Sequence, residues 1–167
     1  MEELISELKK TQVVQKGKVI GKSGRVLDFY IDLKKALGSP GVFNLICDEL
    51  CDTIDKKATC IAGSGLGGLP LATAVSLRLG LPLVLVRDEI KKHGLQKKIN
   101  GYAPTAKDKI VIIDDVFTTG TCILNTVRIL ATTKAKIIGG CVVVSRGDTT
   151  NLKIPIKSLL KVEDLTF

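Results

Sequence analysis

The sequence predicts an α/β fold, a central and mostly parallel sheet flanked by helices, and three observations carry that expectation. The segment KIVIIDDVFTTGTC, Lys109 to Cys122, opens with a β-branched run, Ile110 to Ile113, that is too short for a helix and reads as a strand buried on both faces. From Ala58 onward, short apolar runs alternate with stretches of helical spacing, the pattern of parallel strands joined by helical crossovers. With 167 residues, 45% of them apolar, the chain suits a single domain, residues 1–167, with a real core, and is too short for two of ordinary size.

Taken in order, residues 2–10 place Leu4, Ile5 and Leu8 at helical spacing and predict a short amphipathic helix. Glycines at 17, 21 and 24 break the next stretch into short extended pieces, and FYID, aromatic and β-branched, predicts a strand ending near Asp32. After the SPG turn at 39–41, Phe43, Ile46, Leu50 and Ile54 recur at helical intervals and predict a helix over Val42–Lys56 that covers the sheet. TCIAG reads as a buried strand, SGLGG as a glycine-rich turn, Leu69–Leu79 as a helix and LPLVLVR as a second strand. The eighteen residues Lys91–Asp108 are polar and basic with few apolar members, so a mobile hairpin or loop is expected, and one of that length in a small domain is expected to be a functional lid. The Ile110–Ile113 strand follows, then a helix from about Gly120 to Thr132, the strand KIIGGCVVVSR, and a tail, IPIKSLLKVEDL, with a short extended piece and a helical turn.

Composition narrows the function. Twenty-five Lys and Arg against 17 Asp and Glu give a net charge of +8, which suits a nucleic-acid backbone or a small substrate carrying several phosphates. Aromatics are only 4% with no Trp, which disfavours single-strand binding on stacking platforms. The five cysteines, Cys47, Cys51, Cys60, Cys122 and Cys141, form no CxxC pair and have no histidine cluster beside them, and with Cys47 and Cys51 on one helix face and Cys60 and Cys141 in apolar runs the reading is small buried hydrophobes in a reducing compartment. MEELISELKK lacks the apolar core of a signal peptide and no run reaches membrane-spanning length, so a cytoplasmic protein without a membrane partner is expected.

The candidate site lies where the Ile110–Ile113 strand ends. Asp114 and Asp115 stand at its carboxyl end, where open α/β sheets bind ligands, and Thr118, Thr119, Gly120 and Thr121 supply hydroxyls and amides at a helix start. Such a helix start suits a monophosphate, and paired carboxylates suit a ribose diol or a divalent cation. A strand with an N-capped helix after it would explain the same residue types without any ligand. Gly63 to Gly68, GSGLGG, can point successive amides at an anion such as pyrophosphate.

The strand, the two acids and the Thr-Thr-Gly turn resemble the phosphoribosyl pyrophosphate (PRPP) motif of the type I phosphoribosyltransferases. The order Arg87, Glu89, Lys91, His93, Gly94 further resembles the catalytic loop of the orotate phosphoribosyltransferases, although Asp88 stands where that family has Lys. SGRVLDFYIDLKK and the tail SLLKVEDL also match, so the resemblance covers nearly the whole chain. It implies the type I phosphoribosyltransferase fold, with a small N-terminal hood to which about residues 1–36 contribute and a flexible catalytic loop. It implies that Asp114, Asp115, Val116, Phe117, Thr118, Thr119, Gly120, Thr121 and Cys122 bind PRPP, the acids through the ribose hydroxyls and Thr118 to Thr121 through the 5′-phosphate. Ser64, Gly65 and Lys92 would serve the pyrophosphate, and Lys22, Phe29, Tyr30, Thr118 and Arg146 the orotate, with Ser145 where an Asp usually precedes that arginine. Lys91, His93 and Arg87 would be the catalytic cations.

The resemblance implies formation of orotidine 5′-monophosphate in pyrimidine biosynthesis. Mg²⁺ would be held through PRPP with no direct protein ligand, Asp114 or Asp115 reaching it through water. A homodimer sharing its catalytic loops across the interface is also implied. Asp88 and Ser145 motivate one alternative, a phosphoribosyltransferase for another base. The net charge of +8 motivates a second, a PRPP-binding regulator associated with nucleic acid.

Overall fold

The computed structural model describes residues 1–20, 26–87, 97–150 and 152–166. The chain runs α1 (Glu2–Lys10), β1 (Val14–Ile20), β2 (Val26–Ile31), α2 (Lys34–Leu37), α3 (Pro40–Thr53), β3 (Cys60–Ser64), α4 (Gly65–Leu79) and β4 (Leu83–Val86). It continues with β5 (Ile99–Gly101), β6 (Lys109–Phe117), α5 (Thr121–Leu130), β7 (Lys136–Ser145), β8 (Ile156–Lys161) and α6 (Glu163–Thr166). Six strands form one sheet in the order β5-β4-β3-β6-β7-β8, parallel except for the edge strand β5.

Alternation along β6 explains why the sheet is covered on both faces. Val111 and Ile113 join Leu71, Ala72 and Val75 of α4 and Ile46 and Leu50 of α3, whereas Ile110 and Ile112 join Ile129 and Leu130 of α5. Successive side chains of a strand point to opposite faces, so a run with no polar member requires a layer on each side. Each fully buried Ile contributes roughly 1.5–3 kcal/mol, which makes this strand the anchor of the core.

Strand order reverses direction between β3 and β6. From β3 the chain adds β4 on one side and, later, β6 on the other, which creates the crevice at the carboxyl ends where doubly wound sheets take ligands. The last β3–β6 register pair is Gly63 with Ile113, so Asp114 and Asp115 lie just past the paired end of β3. On the other side β6 stays paired with β7 as far as Phe117 and Ser145.

The hood is a two-stranded antiparallel ribbon, β1 with β2, whose register shifts between Lys16 and Val19. Gly17 lies in that shift at φ +138°, so it continues β1 where the sequence predicted a break. Leu4 and Leu8 anchor α1 in the core.

Two further expectations are corrected and one is made specific. The glycine-rich segment is not a turn before a helix at Leu69: α4 starts at Gly65, immediately after Ser64. Helix propensity argues against glycine there, but the close approach of α4 to β6 admits no side chain at Gly67 or Gly68. The hairpin or loop expected over residues 91–108 contains a short strand, since Ile99–Gly101 pair antiparallel with Val84–Val86 and the stretch after them is fixed by a buried carboxylate, Asp108, while residues 91–96 lie outside the described residues. With Ile99 and Asn100 half-buried and Gly101 exposed, these three residues have too little pattern to announce where an edge strand lies. The strand of Ile110–Ile113 does not end before the acids, since β6 runs through both of them to Phe117.

Candidate active site

The two acids occupy different settings on β6. Asp114 is 8% exposed and its Oδ1 accepts the Asp115 N–H at 2.9 Å, while Asp115 is half-buried and its Oδ1 accepts the Val116 N–H at 2.9 Å. Both face the first turns of α4. A Cβ built on Gly68 would lie 3.1 Å from Asp114 Oδ1, and one built on Gly67 would overlap the Asp115 carboxylate. The start of α4 is therefore stacked on the acid pair, with its unpaired N–H groups and the positive end of its dipole turned toward the same crevice.

Beyond β6, Thr118, Thr119, Thr121 and Cys122 are exposed around the start of α5. Gly120 is the residue before that helix and adopts φ +75°, the left-handed region, where its missing Cβ also leaves room for the Phe117 ring at 3.1 Å. Thr119 and Thr121 hydroxyls lie 2.8 Å apart, so the turn presents a tight group of hydroxyls and first-turn amides suited to a phosphate dianion. Phe117 is 3% exposed and packs with Ile123 and Val142, which leaves its backbone as the part that faces the turn. Val116 is half-buried beside it.

Ser64 and Gly65 sit at the junction of β3 and α4. Gly65 is exposed with φ +66°, and the Ser64 hydroxyl is buried at 2.9 Å from that of Thr126, which in turn donates to the Cys122 carbonyl at 3.0 Å. Ser64 thus offers the crevice its backbone, while its side chain ties the junction of β3 and α4 to α5. Thr126 was invisible as a site residue in the sequence, since a mid-helix threonine gives no signal of a partner 62 positions away.

Arg146, at the carboxyl end of β7, reaches the hood. Its Nη1 donates to the Phe29 carbonyl at 3.0 Å and its guanidinium lies 4.1 Å from the centre of the Phe29 ring, a cation–π contact. Further N–H donors of the guanidinium remain for a ligand carboxylate. Tyr30 is 40% exposed beside Lys34, whose ammonium lies 6.0 Å from the ring centre and 2.9 Å from Asp32. Asp115 is also among the carboxylates that favour the charged Lys34, a cation near the site that the sequence reading passed over. Desolvation opposes the charge, but Asp32, Tyr30 and Asp115 together leave the Lys34 pKa raised.

Arg87 is exposed after β4, and its N–H bonds to the Lys98 carbonyl at 2.9 Å, closing the base of the segment between them. Lys22, Lys91, Lys92 and His93 lie outside the described residues. Among the described residues, no cluster of three or more His, Cys, Asp or Glu side chains could hold a metal. No helix of the described residues is long and apolar enough to cross a membrane.

The acid strand, the hydroxyl turn and the glycine-rich helix start converge on one crevice, and comparison with known proteins fixes what that crevice belongs to. The family described as phosphoribosyl transferase domain matches residues 44–166. An orotate phosphoribosyltransferase of Methanothermobacter thermautotrophicus is 41% identical over 126 residues, covering 75% of this chain and 69% of that protein. This chain belongs to the orotate phosphoribosyltransferase family. A second relative of that name, from Thermococcus gammatolerans, is 31% identical across 97% of this chain and 89% of its own length. Among solved structures, the Aeropyrum pernix orotate phosphoribosyltransferase superposes with a TM-score of 0.84 at 27% identity, covering 97% of this chain and 96% of that one. The Mycobacterium tuberculosis enzyme in complex with PRPP gives 0.78 at 26% identity, with 99% and 98% covered. An adenine phosphoribosyltransferase of Trypanosoma brucei gives 0.75 at 17% identity over 98% of this chain and 81% of that one, a likeness of fold alone. The expected α/β phosphoribosyltransferase fold is the observed one.

Proposed function

We infer that this protein transfers the phosphoribosyl group of PRPP to orotate, giving orotidine 5′-monophosphate and pyrophosphate in pyrimidine biosynthesis. The observation that carries the reading is the placement of Asp114 and Asp115 between the amide-rich start of α4 and the Thr118–Thr121 turn. Such a site can hold a pyrophosphate, a diol and a monophosphate in one line, as PRPP requires.

Cleaving the C1–O bond of PRPP leaves an oxocarbenium-like sugar and a pyrophosphate anion, so the protein must chiefly position the two reactants and stabilise developing negative charge. Lys91, His93 and Arg87 are the cations assigned to that task, with His93 suited to protonate the leaving group because imidazole titrates near neutrality. Phe29, Tyr30, Lys22 and Arg146 are assigned to the base, with Arg146 meeting its carboxylate. Two carboxylates, in a site where the described residues bring together no cluster of three or more His, Cys, Asp or Glu, fit a Mg²⁺ bound mainly through substrate oxygens, directly or through water, rather than in a protein cage. When bound there, the ion would neutralise charge on the pyrophosphate.

The assignment carries with it a homodimer in which each catalytic loop reaches the partner's site; Leu66 and Leu77, 83% and 78% exposed on α4, are apolar surface that an interface between two copies would cover. Cys47, Cys51, Cys60 and Cys141 are free thiols, and burial pushes Cys47, Cys60 and Cys141 up to about 11, which fits inert thiols in a reducing cytoplasm. The test is incubation with PRPP, Mg²⁺ and a panel of orotate, uracil, adenine and guanine. Pyrophosphate release with orotate alone is expected; turnover of another base, or of none, overturns the assignment.

A further inference from the structure

The glycine-rich stretch was expected to expose amides to an anion, but the geometry gives two of its members another task. A Cβ on Gly68 would lie 2.8 Å from the Ile113 carbonyl, and one on Gly63 would lie 2.5 Å from the Ala72 Cβ, so these two set the spacing between α4 and the sheet. Gly67 differs from both. The three atoms nearest a Cβ there all belong to the carboxylate of Asp115, which it would overlap at Cγ and Oδ2, lying 2.5 Å from Oδ1.

Relief of that overlap can come from the helix, the strand or the side chain. The helix is held by Leu71, Ala72 and Val75, all fully buried, and by the Gly63 and Gly68 contacts. The strand is paired with β7 through Phe117 and with β3 through Ile113. The side chain is the compliant part. Rotating it would take the carboxylate away from the Val116 N–H that now holds Oδ1 at 2.9 Å.

We propose that Gly67 is a positioning residue: the bare α-carbon in the first turn of α4 is the seat of the Asp115 carboxylate, and it selects the side-chain orientation in which that acid meets PRPP. The proposal rests on the reading of Asp115 as a PRPP contact. It also explains why a residue that disfavours helices occupies a helix.

A double-mutant cycle tests it, with PRPP affinity in the presence of Mg²⁺ measured by calorimetry on wild type, Gly67→Ala, Asp115→Ala and the double variant. Gly67→Ala should weaken PRPP binding by about tenfold or more, the loss of a charge-assisted contact. In the Asp115→Ala background the same change should cost less than about twofold, because the group it displaces is gone. An equal cost in both backgrounds overturns the proposal while leaving the role of Asp115 intact. Unchanged affinity in Asp115→Ala alone overturns both. Should Gly67→Ala fold too poorly to titrate, the cycle is read in thermal midpoints: the drop caused by Gly67→Ala must vanish without the Asp115 carboxylate, and a drop of equal size there refutes the proposal.

Discussion

At the scale of single residues, the site uses charge where a neutral group of the same shape would fold equally well. Asp114 and Asp115 each accept a backbone N–H through Oδ1, a bond that an asparagine oxygen can also accept. Asp114→Asn with Asp115→Asn should therefore keep the fold and lose the charge-assisted bonds to the ribose, each worth roughly 1.5–3 kcal/mol. PRPP affinity should fall by more than about tenfold, and an unchanged dissociation constant in calorimetry would remove the acids from the site. Arg146 invites a second test. Its guanidinium already holds Phe29 through a hydrogen bond and ring contact, so it links the hood to β7 before any substrate arrives. Arg146→Ala should raise the Michaelis constant for orotate far more than that for PRPP, and should erase discrimination between orotate and uncharged uracil. If the variant still tells those bases apart as wild type does, another group reads the carboxylate.

At the scale of elements, Asp108 shows how a segment without apolar pattern becomes ordered. Its carboxylate accepts from the Thr59 hydroxyl at 2.8 Å, the Tyr102 hydroxyl at 3.1 Å, and the Thr105 N–H and hydroxyl at 2.7 and 2.8 Å. The Thr105 amide first, then the Thr59 hydroxyl, hold its pKa down at about 2 against an ordinary 3.8. A depressed carboxylate contributes stability that is fully present above its unfolded value and disappears as pH falls through the folded one. Urea midpoints of wild type should therefore decline between about pH 4 and pH 2, and Asp108→Asn should remove this group's share of that decline while lowering the midpoint at neutral pH. A variant with the wild-type slope across that window would show the hub to be energetically silent. This network also marks where sequence reading stopped. β6, β7, α3 and α5 were legible because β-branched runs and helical spacing are local signals. The start of α4 and the strand β5 were not, because tertiary contacts overrule glycine's poor helix propensity in one case and pair a three-residue edge in the other. In the site, residue types were legible from the motif, whereas directions were not: the Ser64 hydroxyl turns inward to Thr126, and Arg146 meets a partner 117 positions away.

At the scale of the whole molecule, a net charge of +8 suits substrates rich in phosphate, and the proposed dimer raises the question of whether two copies share the work. If Lys91 stabilises charge that appears mainly as pyrophosphate departs, its removal should lower the maximal rate more than it weakens binding, since only interactions stronger in the transition state accelerate the step. Lys91→Ala should then be nearly inactive yet still bind PRPP. If the loop also serves the neighbouring subunit, mixing this variant with the inactive Asp114→Asn, Asp115→Asn variant should restore activity. Each hybrid dimer would contain one site with an intact acid pair facing an intact loop, and one with neither. Random exchange makes about half the dimers hybrid, so recovery near a quarter of wild-type activity follows from the symmetry of an isologous pair. Absence of recovery despite verified subunit exchange would assign each loop to its own subunit, and would take the dimer out of the mechanism without touching the assignment of Asp114 and Asp115.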